Sequence, residues 1–353
     1  MKTTSQSSSD GAAARRATKP VMTDVARLAG VSQKTVSRVV NGSDHVSDDV
    51  RQRVLTAIKQ LGFRPNPAAR ALANQRSSAV GIITPATTLY GPSAQLLGME
   101  QAAWAAGLSV VISSVRDASA QHLSAAIKRL LDSGVEGLLI SSSVFNSGLT
   151  AEMLEGVPAI LIGDSAPLGL PIPAVVVDQR AGARAATEHL LALGHPTVHH
   201  IAGPSVWLAA RERQDAWRAC LERAGAPVPQ VVEGTWSARS GYEAARHLLS
   251  QDGPRVSAIF AANDSMAIGS LRAVAEAGLR VPDDVCVVGF DNVPEAEFLP
   301  VPLSTVRQDF DGMTERAVAE LSRAIAGEPV AHQILDDPQL VVRASSTLPP
   351  PLR

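Results

Sequence analysis

Residues 30–47, GVSQKTVSRVVNGSDHVS, decide how the start of this chain folds. Ser32 precedes a run in which Val36, Val39 and Val40 recur at helical spacing, and Asn41-Gly42 ends it. A serine at that position accepts a hydrogen bond from a free amide of the first turn. With the valines turned inward, Gln33, Lys34, Ser37 and Arg38 fall on or near the opposite face. Upstream, Thr23 is expected to cap a helix with Asp24 in its first turn, an apolar stripe of Val25, Leu28 and Ala29, and Gly30 as its end. Downstream, Ser47 is expected to cap a third helix striped by Val50, Val54, Leu55, Ile58 and Leu61 and closed by Gly62. Two helices meeting at Gly30-Val31, the second capped and basic, spell a helix-turn-helix within residues 21–64.

Charge supports that reading. Residues 1–80 hold 13 Lys and Arg against 5 Asp and Glu, a net +8, which leaves 19 basic and 29 acidic residues, −10, for the remainder. A basic head on an acidic body points to a polyanion as the head's partner. Residues 1–20 are polar and aperiodic and are expected to be a disordered arm. They contain no apolar stretch of the secretory kind, and no run of 18 apolar residues follows, so neither export nor a membrane partner is expected. Two cysteines, Cys220 and Cys286, with no CxxC, suit a reduced cytoplasm and a buried, unpaired state.

Residues 65–77 form a linker. Pro65 stops the preceding helix, Asn66 and Pro67 open another, and the Ala-rich run Ala68–Ala73 is too short to be stable alone. From residue 78 the texture changes. AVGIIT, EGLLIS, PAILIG, AVVVDQ, SAIFAAND and DVCVVGFD are nearly continuous apolar runs with helical patterns between them, the signature of parallel sheets covered by helices on both faces. Residues 78–353 exceed one comfortable sheet, so two α/β lobes are expected. QLVVRASST, residues 339–347, is a candidate last strand.

Ligands of open α/β sheets lie beyond the carboxyl ends of strands. Asn263 and Asp264 end one strand, Asp291 another and Asp164 a third; such groups bond vicinal hydroxyls, the chemistry a sugar requires. Aromatics are only 12 of 353 residues, which draws notice to Trp236 in the loop GTWSARSGY, whose indole face suits the C–H side of a pyranose. Arg213 can add a charge-assisted donor, while Trp104 and Trp217, on helical stretches, are expected in the core. No GxGxxG opening a βαβ unit, GxxxxGK[ST] or GxSxG is present, and His199-His200 on a strand point to opposite faces. No cofactor, metal site or enzymatic activity is therefore expected.

The stretch TDVARLAGVSQKTVSRVVNGSDHVSDDVRQRVLTAIKQLGFRPNPAARAL, residues 23–72, resembles the DNA-binding domain of the lactose-repressor family of bacterial transcription regulators. It carries the DVA-x-x-AGVS opening, TVSRVVNG and F-x-PN-x-x-AR-x-L. The resemblance continues through GLRVPDDVCVVGFDN and PLSTVRQDF and omits only the first 20 residues. It implies a two-lobed, periplasmic-binding-protein-like body, a homodimer, and a palindromic double-stranded operator. Residues 66 to 76 would be a hinge helix whose Leu72 wedges into the minor groove. Gln33 and Lys34 would set operator preference, with Arg38, Ser32, Thr35, Asn41, Ser37 and Thr23 as further DNA contacts.

Arg213, Asn263, Asp291 and Gln308 would match effector positions, and Ser93 a sugar-contacting serine. Trp236 resembles the family's lactose-responsive member, since purine-responsive relatives carry Phe there. Trp207 and Ala209 depart from the purine-responsive pattern, and GDSAPLGLPIP differs in length around Asp164. The function implied is a repressor whose operator affinity is lowered by a sugar or glycoside. A corepressor-dependent regulator is an alternative. Another is a two-lobed solute-binding protein, which would need an export signal and no basic head.

Overall fold

The computed structural model describes residues 20–40, 45–64, 76–116, 119–142, 148–163, 172–251, 255–331 and 333–347, the last without the side chains of 333–336. The chain divides into two units, Met1–Ser77 and Ser78–Arg353.

The head is built from α1 (Met22–Ala29), α2 (Gln33–Val40) and α3 (Asp48–Leu61). Val25, Ala29, Val36, Val39, Val54, Ala57 and Phe63 form its core. Ser32 Oγ accepts from the Thr35 amide at 3.1 Å, as its place ahead of α2 suggests. Gly30 and Gly62 end α1 and α3 in the left-handed conformation, with φ 66° and 59°. The start of α1 differs from expectation. The helix begins at Met22, and the capping carboxylate is Asp24, whose Oδ2 accepts from the Val21 amide at 3.0 Å; Thr23 is exposed within the first turn. Leu28 and Leu55 are exposed although both sit on the periodic stripe. A bundle of three short helices closes over a narrower strip of each helix than periodicity marks out.

The body contains two six-stranded sheets. Its first lobe holds β1 (Ala79–Pro85), α4 (Tyr90–Ala105), β2 (Ser109–Val115), α5 (Ala120–Asp132), β3 (Gly137–Ser141), β4 (Ala159–Gly163) and β5 (Ala174–Val177). The chain then enters the second lobe through α6 (Gln179–Ala192), β6 (His199–Ala202), α7 (Leu208–Arg223), β7 (Val232–Glu233), α8 (Ala238–Leu249), β8 (Ala258–Ala261), α9 (Asp264–Glu276), β9 (Cys286–Asp291) and β10 (Ser304–Arg307). It returns with α10 (Phe310–Ile325) and β11 (Gln333–Asp336), and crosses again to β12 (Gln339–Val341). Strand order is β11-β5-β4-β3-β1-β2 in one sheet and β12-β10-β9-β8-β6-β7 in the other. Every described pairing is parallel except β10 with β12. Strands such as β3, β4 and β9 are buried along their whole length, because helices cover both faces.

The final strand β12 begins where QLVVRASST predicts one, and β11, just before it, had no apolar run of its own strong enough to mark it. Trp217 lies in the second lobe's core and donates to the Val198 carbonyl at 2.9 Å. Trp104 does not follow expectation. It is 78% exposed on the outer face of α4, since the inner face is taken by Met99 and Ala103.

Candidate functional site

The crossings from β5 to α6 and from β10 to α10 bring two glutamines together. Gln179 Nε2 donates to Gln308 Oε1 at 3.0 Å, joining two of the connections between the lobes. Gln308 Nε2 in turn donates to Asp291 Oδ1 at 2.7 Å, and Arg213 Nε donates to Gln179 Oε1 at 2.8 Å. Arg213 Nη2 lies 3.8 Å from Asp291 Oδ1, which closes a ring of four side chains. The arginine is 4% exposed, donates also to the Ala262 carbonyl, and lays its guanidinium 3.7 Å from the centroid of the Phe290 ring. A buried cation held by a carboxylate, two acceptors and an aromatic face is satisfied and rigid.

Arg213, Asp291 and Gln308 of this ring form part of the wall of a cleft between the lobes. Trp236 forms another part. Its backbone is left-handed, φ 67°, and its carbonyl accepts from Asn263 Nδ2 at 3.1 Å. Trp207 meets it edge to face with ring centroids 6.1 Å apart. The indole lies over Gly203, where any Cβ would fall 2.2 Å from the ring. The Trp236 indole nitrogen is buried and has no hydrogen-bond partner among the described residues. Asn263 also caps α9, its Oδ1 accepting from the Met266 amide at 2.9 Å.

The first lobe contributes Leu89, Tyr90, Pro92 and Gln95, and α10 contributes Phe310. Gln95 is buried and accepts from the Ser141 hydroxyl at 3.2 Å. Tyr90 has its phenol pushed above the ordinary value by burial and by the nearby Asp291 carboxylate. Beyond Asp291, the buried Asp264 has its carboxyl pushed up to about 7 by burial first and by Asp291 second. Asp291 and Asn292 are both left-handed, with φ 111° and 56°, a conformation that costs non-glycine residues on the order of 1–3 kcal/mol each.

Of the effector candidates, Arg213, Trp236, Asn263, Asp291 and Gln308 converge on this cavity. Ser93 is exposed on α4 and is not part of the lining; Gln95, two residues on, takes the inward position. Asp164 lies outside the described residues. Trp207 and Ala209 are both in the wall. Gln179 escaped the sequence reading although it follows Asp178 at a strand end, the signal that singled out Asn263. Gln95 had no signal, because a polar residue in the middle of a helix reads as solvent-facing. No three His, Cys, Asp or Glu side chains come together as metal ligands among the described residues. His200 is buried between Trp217 and Phe260, with its pKa pushed down to about 4 by burial.

On the head, Ser32, Gln33, Lys34 and Arg38 are exposed along one side of α2, with Thr35 and Ser37 half-buried beside them. Asn41 and Leu72 lie outside the described residues.

A helix-turn-helix head and a two-lobed α/β body with a polar, aromatic-walled cleft define a ligand-responsive regulator class. Residues 21–66 match the model of the bacterial regulatory proteins of the lacI family, and residues 187–346 match the periplasmic-binding-protein-like domain. The chain is 36% identical to the lactose operon repressor of Escherichia coli strain K12 over 336 residues, covering 94% of this chain and 92% of the repressor. It is 32% identical to the ribose operon repressor of the same strain, over 92% and 99% of the two chains. It is 35% identical to the regulator CelR of Thermobifida fusca, over 94% and 99%. The lac repressor dimer bound to operator and the anti-inducer ONPF superimposes with a TM-score of 0.84 at 33% identity, covering 94% of this chain and all of that one. A CelR–cellobiose complex superimposes at 0.66 with 33% identity, over 92% and 99%. The chain belongs to the lacI family and is a DNA-binding transcriptional regulator.

Proposed function

We propose that this regulator is a repressor that holds a palindromic operator as a homodimer and releases it when a sugar or glycoside fills the cleft of the body. The observation that carries the proposal is the convergence of Arg213, Trp236, Asn263, Asp291 and Gln308, from separate elements, on one cavity. Asp291 and Asn263 supply carboxylate and amide groups for vicinal hydroxyls. The Trp207–Trp236 corner supplies an apolar wall for sugar C–H groups. An apolar Trp207 and Ala209 in that wall disfavour a purine, which needs polar partners at its ring edges. The role proposed is that of a cytoplasmic binding switch.

Closure around a ligand is felt at the Gln179–Gln308 pair, because those residues sit on the connections between lobes. The domain plan that fits is a head over residues 21–64, a linker over 65–77 and a body over 78–353. The marginal linker is the element whose order the ligand controls, and the coupling is reciprocal. On the head, Gln33 and Lys34 read base edges, with Ser32, Thr35, Ser37, Arg38 and Thr23 beside them. Asn41 and Leu72 complete the contact set, and Asp164 and Ser93 are secondary effector candidates. The dimer is proposed to cover the exposed Leu97 and Trp104 of α4 and Ile112 of the edge strand β2. Selecting bound duplexes from a random pool at low ionic strength should recover a palindrome. Adding lactose, cellobiose or ribose should then weaken that complex for one of them. Failure to retain any duplex would refute DNA binding; retention unaffected by all three sugars would refute the effector class.

A further inference from the structure

We infer that Asp264 is a positioning residue for the cleft, clamping the left-handed turn that presents Asp291. The inference rests on the reading of the cleft as a ligand site. Consecutive non-glycine residues in the left-handed region persist only where surrounding bonds dictate them. Here those bonds converge on one carboxyl group. Asp264, the first residue of α9, is fully buried. Its Oδ2 accepts from the Val293 amide at 2.8 Å, and its Oδ1 accepts from the Thr305 hydroxyl at 2.6 Å. The same Thr305 oxygen accepts from the Asn292 amide at 3.2 Å. Arg343, beyond β12, donates to Asn292 Oδ1 at 2.8 Å. Gly289 on β9 makes room for the clamp, since a Cβ there would lie 2.1 Å from Asp264 Oδ1.

The charge chemistry explains why this residue is an aspartate. Both oxygens act as acceptors, whereas an asparagine of the same shape offers one acceptor and one donor and cannot accept from both Val293 and Thr305. Burying a carboxylate is costly, and the charged groups facing this one are Asp291 from β9, which opposes it, and Arg343 from beyond β12, which favours it. A neutral isostere would be less costly to bury. Double acceptance is what the carboxylate provides in return. Asp291, fixed by this turn, then meets Gln308 and Arg213 in the wall of the cleft.

Full-length wild-type protein, Asp264→Asn and Thr305→Val test this by two measurements. Hydrogen exchange of the free proteins should show the Asn292 and Val293 amides exchanging about tenfold faster in both variants, with β8 unchanged. Calorimetric titration with whichever of lactose, cellobiose and ribose binds the wild type should show about tenfold weaker binding in Asp264→Asn. The melting temperature should not fall, whereas a merely structural role would lower it and spare affinity. If Asp264→Asn does not fold, Thr305→Val carries both measurements. Unchanged exchange at those two amides overturns the inference, as does faster exchange with full sugar affinity. If none of the three sugars binds the wild type, the sugar reading fails on its own and the exchange result alone decides the role of Asp264.

Discussion

Replacing Gly203 by alanine drives a methyl group into the wall of the cleft. A Cβ at this position would lie 2.2 Å from Cη2 and 2.3 Å from Cζ2 of Trp236, where ordinary contact begins at 3.4 Å, so the ring must withdraw by about 1.2 Å. It has little freedom to do so. Its backbone is held left-handed, its carbonyl is bonded by Asn263, and Trp207 packs edge-on against it. Overpacking of this kind costs about 1–3 kcal/mol. The displaced indole is also the surface proposed to face the ligand, so sugar affinity should fall about tenfold, equivalent to roughly 1.4 kcal/mol. All four tryptophans lie in the body, so urea unfolding followed by their fluorescence reports that unit alone. The midpoint should drop at constant slope. A Gly203→Ala protein that unfolds at the wild-type midpoint and keeps its sugar affinity would refute the packing argument and, with it, the placement of Trp236 as a rigid wall.

Lys34→Ala should lower discrimination between operator and mutated operator by roughly 1–3 kcal/mol if Lys34 reads a base, measured by competitive gel shift. A uniform loss on every duplex would make it a phosphate contact instead. Trp236→Ala should abolish the sugar response of the operator complex, and survival of that response would end the stacking proposal. Asp264 makes stability depend on pH. Its carboxyl is raised from 3.8 to about 7 in the fold, so the folded state binds the proton more tightly than the unfolded chain does. Its contribution is therefore fully present below pH 3.8 and is lost as pH rises through about 7. The stability of the wild type relative to Asp264→Asn should accordingly decline from acid to neutral pH by urea titration; parallel profiles would refute the Asp264 contribution.

Much of the molecule is written in local patterns that short-range physics can read. The capped, basic α2 with its inward valines, the charge split near residue 80 and the continuous apolar strands each follow from spacing alone. They were sufficient for a helical head and a two-lobed α/β body. Strand ends singled out Asn263 and Asp291, because parallel sheets place their ligands there whatever the sequence between them. Tertiary structure decided what periodicity cannot carry. Trp104 and Leu28 face outward because burial depends on which neighbour arrives, and a helix does not encode its partner. Gln95 turns inward, and Gln179 meets Gln308 across 129 positions of chain, because two connections between the lobes pass side by side. The Asp264 clamp likewise joins residues from α9, β9 and β10 around one turn. Such contacts depend on separations that no window of sequence spans, so only the folded chain brings them into being.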